Sequence, residues 1–140
     1  MILAAIQARL AAAPAIAVLL TEQTGIVRCF PLLAPQGAGH PLVVLSAISV
    51  QRSASLHEAR DYSTGTVQVD VYARTYGEAQ ALEALVRRSL HAQAFVAGGV
   101  TVQYCVQNTT RDMIEGTEPG SATRPLFRIS TDYDVAFEES

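Results

Sequence analysis

The sequence contains no lysine, and this absence limits its affinity for nucleic acids. All ten basic residues are arginines scattered along the chain, and the formal net charge is −3. Proteins that bind DNA or RNA through phosphates usually carry a clustered excess of positive charge. We therefore expect no tight binding of nucleic acid.

Charged residues of both signs are scarce. They make up 16% of the 140 residues, whereas a globular domain usually contains about 25%. Hydrophobic residues make up 49%, which is close to the globular average and argues against a disordered or fibrous chain. The low charge content is expected if part of the surface is covered by partners or by further copies of the chain. The length fits one domain.

The sequence also lacks segments that direct a protein to a membrane. No basic residues precede the apolar N-terminal stretch, and Arg9 interrupts it, so we predict no secretory signal. No uncharged apolar run approaches the ~20 residues that span a bilayer, so no membrane partner is expected. Cys29 and Cys105 are far apart, and we interpret them as reduced, buried thiols of a protein made in a cytoplasm.

Motifs for catalysis and for metal or cofactor binding are missing. His57-Glu58-Ala59-Arg60 begins like a zinc-protease motif, but Asp61 stands where a second histidine ligand is required. Gly37-Ala38-Gly39 lacks the Lys-Ser/Thr pair of a phosphate loop. Asp70 could act as a base, although pairing with Arg74 or with an arginine on a neighbouring strand is the simpler interpretation. We expect no enzyme, no cofactor and no metal site.

The clearest positive signal is a strand that runs directly into a helix between Thr66 and His91. Apolar and polar side chains alternate from Val67 to Arg74, which predicts a half-buried strand. The period then changes, and Glu83 and Arg87 are expected to pair on the polar side of a helix. The apolar stripe of this helix consists of Ala79, Leu82, Leu85, Val86 and Leu90.

Weaker patterns on either side complete the predicted fold. Helical patterns cover residues 2–12 and 15–20, and strands are predicted at 26–30, 42–50, 100–107 and 127–137. A long polar loop or the tip of a long hairpin is expected near residues 51–63. A second long polar loop is expected near residues 108–123. The predicted class is α+β, with a mainly antiparallel sheet of four to five strands and two main helices packed on one face. The predicted order is α-β-β-β-α-β-β, in a single domain over residues 1–140.

Three segments stand in a characteristic order along this chain. They are Pro35-Gln36-Gly37 followed by Pro41-Leu42-Val43-Val44, then Val67-Gln68-Val69-Asp70-Val71-Tyr72-Ala73 leading into the helix, and finally Asp132-Tyr133-Asp134-Val135. This order resembles the tail-completion, or tail-terminator, family of long-tailed bacteriophages. The resemblance spans nearly the whole chain and depends on the order and spacing of the segments.

The resemblance implies a structural protein of the virion. Such proteins form a ring, typically a hexamer, that caps the head-proximal end of the tail, stops polymerisation of the tail tube and provides the surface that docks the head. The implied partners are further copies of the chain in a homohexamer, the tail tube protein and a head-completion or connector protein, with the tape-measure protein as a further candidate. DNA would pass through the lumen without tight binding. The implied location is the head–tail interface of the virion.

A ring of this kind needs two different contact surfaces on each subunit, because its contacts are head-to-tail. We expect these surfaces in the two long polar segments and on the polar side of the strand at 66–74. The candidate contact residues are Arg52, His57, Arg60, Gln68, Asp70, Tyr72, Arg74, Arg111, Asp112 and Glu115.

Two alternatives remain open from the sequence. The first is a head-closure or connector adaptor, which is also a phage ring but lies on the portal side. The second is a non-viral α+β domain that binds a small molecule or catalyses a reaction. The second would need a concave polar site, and no cluster of residues in the sequence indicates one.

Overall fold

The computed structural model of the protein describes residues 2–22, 25–35, 39–54, 61–117 and 125–139. Within these ranges the elements are, in order, helices α1 (Ile2–Ala12) and α2 (Pro14–Leu20), strands β1 (Cys29–Pro31), β2 (Leu42–Ala54) and β3 (Asp61–Ala73), helix α3 (Tyr76–Leu90), and strands β4 (Phe95–Ala97), β5 (Val100–Thr117) and β6 (Pro125–Glu139).

The six strands of the described ranges form one sheet in the order β1-β2-β3-β6-β5-β4. Neighbouring strands are antiparallel, except that β1 lies parallel to β2. The predicted α+β class is confirmed. The predicted strand number of four to five was too low, and the predicted order omitted α2 as a separate helix and β4. A three-residue strand such as β4 is too short to show an alternating pattern.

The two faces of the sheet differ in character, as the alternation on β3 predicts. Val67, Val69 and Val71 on β3 lie opposite Tyr133, Thr131 and Ile129 on β6, and all six side chains are buried. We call this the helix face, because α1 and α3 pack on it and share its hydrophobic core. The opposite, polar face carries Thr66, Gln68 and Asp70 of β3 beside Asp134, Asp132 and Ser130 of β6.

Helix α3 begins at an N-cap and contributes a buried stripe. The hydroxyl of Thr75 accepts a hydrogen bond from the backbone N–H of Glu78 at 3.1 Å, which satisfies a donor that the first helical turn leaves unpaired. The predicted stripe is buried except for Leu85, which is half-buried. Glu83 was wrongly placed on the solvated side: its backbone position follows Leu82 toward the sheet, so it is only 8% exposed. Its predicted pairing with Arg87 is present at 3.6 Å.

Helices α1 and α2 are apolar but are packed into the core. Among the described residues no single helix is both long enough and apolar enough to cross a membrane. Taken together, α1 and α2 reach the length and apolar composition of a span, but the two helices are bent by 94° relative to each other. Ile6, Leu10, Ile16 and Leu20 of these helices are all at most 1% exposed. These four apolar residues are therefore accounted for by contacts within the chain, whereas Val18 of α2 is 81% exposed.

The long polar segments are mostly strand. Residues 51–54 and 61–63 continue β2 and β3, which pair from Leu42 opposite Tyr72 to Ala54 opposite Asp61. The hairpin alternative for this segment is therefore the better description. Residues 108–117 belong to β5, so the loop predicted there starts too early. Strands pair through their backbones, and pairing does not require apolar side chains. Residues 55–60 and 118–124 lie outside the described residues.

Candidate functional site

The polar face is organised around a buried ion pair between β3 and β6. The Arg128 guanidinium lies 3.2 Å from the Asp70 carboxylate, which is only 3% exposed. The Gln68 side-chain amide donates to both oxygens of Asp70 at 2.9 Å. The guanidinium also lies over the Tyr72 ring, 5.6 Å from its centroid. Asp70 therefore pairs with an arginine on a neighbouring strand, as the simpler sequence interpretation expected, and it lies inside the subunit.

The same face continues onto β5 through further polar contacts. Arg111 lies 3.5 Å from the Asp132 carboxylate and donates to the Ser130 hydroxyl at 3.4 Å. The Thr66 hydroxyl donates to Asp134 at 3.2 Å. The carboxylates of the face are thus each held by a partner on an adjacent strand. This arrangement neutralises charge within the chain and favours a stable polar surface.

Four of the predicted contact residues lie on the polar face of this sheet. Gln68, Asp70 and Tyr72 come together around Arg128, and Arg111 joins the same face. Arg128 itself was missed, although its position in the alternation of the last strand placed it on the polar side. That this arginine lies opposite Tyr72 and pairs with Asp70 could be found only once the pairing of β3 with β6 was known.

The remaining predicted residues are distributed over the ends of the sheet. Arg52 is exposed on β2, and Arg74 is exposed just after β3. Asp112 is exposed on β5, and its carboxylate accepts a hydrogen bond from the Tyr76 hydroxyl. Glu115 lies in β5, and the structure describes its backbone but not its side chain. His57 and Arg60 lie outside the described residues.

The margins of the sheet leave long stretches of strand edge unpaired. Short β1 pairs with β2 only at residues 43–45, and short β4 pairs with β5 only at residues 100–102. Over the part of the chain that the structure describes, no strand pairs with the outer edge of β2 from Ser46 to Ala54 or with that of β5 from Thr109 to Thr117. We call these the β2 edge and the β5 edge. Unpaired edges present rows of N–H and C=O groups that can bind another strand.

The part of β5 between β4 and the β5 edge is covered by the residues that follow α3. The backbone N–H of Ala92 donates to the carbonyl of Cys105 at 2.7 Å. The backbone N–H of Gln107 donates to Nδ1 of His91 at 3.0 Å. The chain after α3 therefore protects this part of the strand, and the β5 edge begins where that protection ends.

A surface groove of about 450 Å³ lies among α1, α2 and α3. It is lined by Arg9, Arg88, Ser89 and apolar side chains, including Ile16 and Leu85. Arg9 is already engaged, because it donates to the backbone carbonyl of Ser89 at 3.2 Å and lies over the Phe95 ring. The lining among the described residues holds no carboxylate, histidine or thiol that could act as a general acid or base.

The two cysteines are buried and free, as the sequence predicted. Burial raises the pKa of the Cys29 thiol to about 12, and burial with the nearby Asp134 carboxylate raises that of Cys105 to about 12. Such thiols stay protonated and are poor nucleophiles and metal ligands. Among the described residues, no three His, Cys, Asp or Glu side chains are grouped so as to hold a metal ion.

Two unpaired sheet edges suit a subunit that assembles with other chains, because each edge can bind a further strand. Comparison with known families agrees with this class, because the sequence model of the family described as "Tail completion protein gp17" matches residues 4–137. The chain belongs to this family, and the family predicted from the sequence is confirmed. As a member of this family it has a structural role in phage tail assembly and is located in the tail of the virion.

A solved structure shares the fold. A chain of the structure titled "Virion of native gene transfer agent (GTA) particle" superposes with a TM-score of 0.64, covering 97% of this chain and 93% of that chain at 15% sequence identity. At this identity the likeness shows the fold alone. No curated protein matches the sequence.

Proposed function

We propose that the protein forms a closed ring at the head-proximal end of the phage tail, where it stops polymerisation of the tail tube and provides the surface that docks the head. Membership of the tail completion family supports this position. The observation that carries the ring is the presence of two different unpaired edges on opposite sides of one sheet. Two different edges permit a head-to-tail contact that repeats from copy to copy, and such a contact forms a ring when the rotation between copies closes.

The sheet also offers two different ends to neighbours above and below the ring. Tyr62 of β3 pairs with Glu138, whereas Ala73 at the other end of β3 pairs with Phe127. The β2–β3 and β5–β6 hairpins therefore close at opposite ends of the sheet. A terminator must meet the tail tube on one side and a head connector on the other, and hairpins that close at opposite ends of the sheet suit these two partners.

We place the polar face toward the lumen of the ring. The helix face carries an additional layer of helices, and the thicker side of a curved subunit requires the larger circumference. The polar face then lines a channel in which carboxylates and guanidinium groups already neutralise one another. DNA would pass along this surface without tight binding, in agreement with the net charge of −3.

Deletion of the gene in the phage, followed by electron microscopy of lysates, tests the proposal. We expect tails of irregular, excessive length and filled heads without tails, both corrected by supplying the protein from a plasmid. Normal tail length with unattached heads would contradict a role in ending tube polymerisation.

Binding to purified virion parts separates the terminator from the head-closure alternative. The tagged protein is mixed with tail tubes or with DNA-filled heads that lack tails, and the mixtures are sedimented. We expect it to bind tail tubes in the absence of heads. Binding to filled heads alone would favour the adaptor on the portal side.

Native mass spectrometry of the isolated protein gives the number of copies in the assembly. A protein that is monomeric at every concentration would contradict a ring.

A further inference from the structure

The directions of the strands determine how two copies could share one sheet. β2, β3, β6 and β5 alternate in direction, so β2 and β5 of one copy are antiparallel. If the β5 edge of a second copy lies beside the β2 edge of the first, the alternation continues and the helix faces stay on the same side. The two edges also have the same length, because they span 46–54 and 109–117.

Four exposed side chains show which register would match. On β2, Val50 and Arg52 lie opposite Gly65 and Ser63, which occupy the alternate positions of β3 that face the helices. On β5, Asp112 and Ile114 lie opposite Ile129 and Phe127, which occupy the corresponding positions of β6. All four side chains are thus on the helix face, and all are exposed, with Val50 at 41% and Ile114 at 69%.

We propose that the β2 edge of one copy pairs antiparallel with the β5 edge of the next, in the register that places Arg52 opposite Asp112. In that register Val50 necessarily lies opposite Ile114, so a charged pair and an apolar pair match at once. A shift by one residue moves the side chains to opposite faces, and a shift by two separates both pairs. The inference rests on the proposed ring and names the contact between its subunits.

The contributions of the two pairs differ. Backbone hydrogen bonds along the edges and the covered Val50 and Ile114 side chains supply affinity. The exposed charges mainly select the register and reject wrong alignments. Asp112 retains one carboxylate oxygen for this contact, because the Tyr76 hydroxyl bonds to the other.

Charge reversal tests the register in the full-length protein. We expect Arg52→Glu and Asp112→Arg each to raise the concentration needed for ring formation at least about tenfold, because each places like charges opposite one another. The double variant should restore assembly. Arg88→Glu, which reverses an exposed charge on α3 away from both edges, should assemble like the wild type.

Cysteine cross-linking tests the contact without depending on charge. Val50→Cys and Ile114→Cys variants are mixed and oxidised, and buried Cys29 and Cys105 should not react. We expect cross-linked dimers from the mixture and none from either variant alone. Cross-linking of Ile114→Cys with itself would show a two-fold β5–β5 contact and overturn the proposal.

The outcomes also separate this inference from the proposed function. A wild-type protein that forms no ring, alone or on tail tubes, contradicts both. A ring that forms normally in both charge-reversal variants, with no Val50–Ile114 cross-link, contradicts the edge pairing and leaves the ring in place.

Discussion

Arg128 and Asp70 form an ion pair across β6 and β3 in which the acidic partner is almost completely buried. The distance between Nη2 of Arg128 and Oδ2 of Asp70 is 3.2 Å, and the Asp70 side chain also accepts two hydrogen bonds from Gln68. The pair joins the two halves of the sheet, because β3 and β6 are its central strands.

Replacing Asp70 by asparagine should destabilise the fold by about 2 kcal/mol, because it removes the counter-charge of a largely buried guanidinium without changing the shape of the side chain. Urea unfolding followed by circular dichroism measures the change. Asp132→Asn is the matched control, since the side chains of Asp132 and Arg111 are more exposed, at 21% and 46%, and it should cost less than about 1 kcal/mol. Equal losses in both variants would show that burial of the pair is unimportant.

Gly65 lies beside the irregularity in the pairing of β2 with β3, between Ala47 and Ser49. A Cβ atom at this position would lie 2.2 Å from the backbone oxygen of Ser49, so one strand must move. We expect Gly65→Ala to lower the free energy of unfolding by more than about 2 kcal/mol. At Gly77, near the start of α3, a Cβ meets nothing within 4 Å. Gly77→Ala should therefore leave stability unchanged or raise it by up to about 1 kcal/mol. A similar loss at both sites would contradict the role of the Ser49 contact.

Stability should decline in alkaline solution because of the two buried thiols. The pKa of each is raised from 9.0 to about 12 in the folded protein, so the thiols ionise first in the unfolded chain. The stability that the two protonated thiols contribute to the folded state is complete below about pH 9 and is lost as the pH rises toward 12. At about pH 10 the two together should cost about 3 kcal/mol relative to about pH 8.

The control for this prediction is the double variant Cys29→Ala/Cys105→Ala. It is less stable at every pH, because it leaves small cavities, but its free energy of unfolding should fall less between about pH 8 and about pH 10. Part of the decline remains, since burial and the nearby Glu83 carboxylate raise the pKa of Tyr133 as well. An unchanged alkaline decline would assign it to groups other than the thiols.

Tyr133 has a fully buried ring whose hydroxyl has no hydrogen-bond partner among the described residues. Burying an unpaired hydroxyl costs free energy that phenylalanine does not incur. We expect Tyr133→Phe to be neutral or to stabilise the fold by about 1 kcal/mol, measured as the shift in the urea midpoint. Tyr104→Phe, at an exposed position, should have no effect. A loss of more than about 1 kcal/mol in Tyr133→Phe would indicate that the hydroxyl is bound by an ordered water molecule.

The unit from Val67 to Leu90 could be predicted because its evidence is local. A two-residue period and then a helical period each appear within a few residues, and burial of Val67, Val69, Leu82 and Val86 agrees with both. The same holds for α1, where Ile2, Ile6 and Leu10 are spaced by four residues and all are buried.

The pairing of strands could not be predicted because it depends on residues far apart in the chain. Nothing near Asp70 indicates that its partner is Arg128 on β6. Likewise, residues 108–117 look like a loop, since both of their faces are largely polar or exposed, yet they are strand because β6 lies beside them. The candidate site was therefore predicted as single residues, and only the sheet order showed which of them meet.

The position of β6 has a consequence for how the protein is made. This strand follows every other described strand in the chain, yet it joins β3 to β5. On the ribosome, the β2–β3 hairpin and α3 can form early from local contacts, whereas the joining of β3 to β5 must wait until β6 emerges. Such late, long-range pairing slows folding and leaves strands open to wrong partners during synthesis. The nascent chain thus passes through a stage in which it exposes more strand edge than the finished subunit.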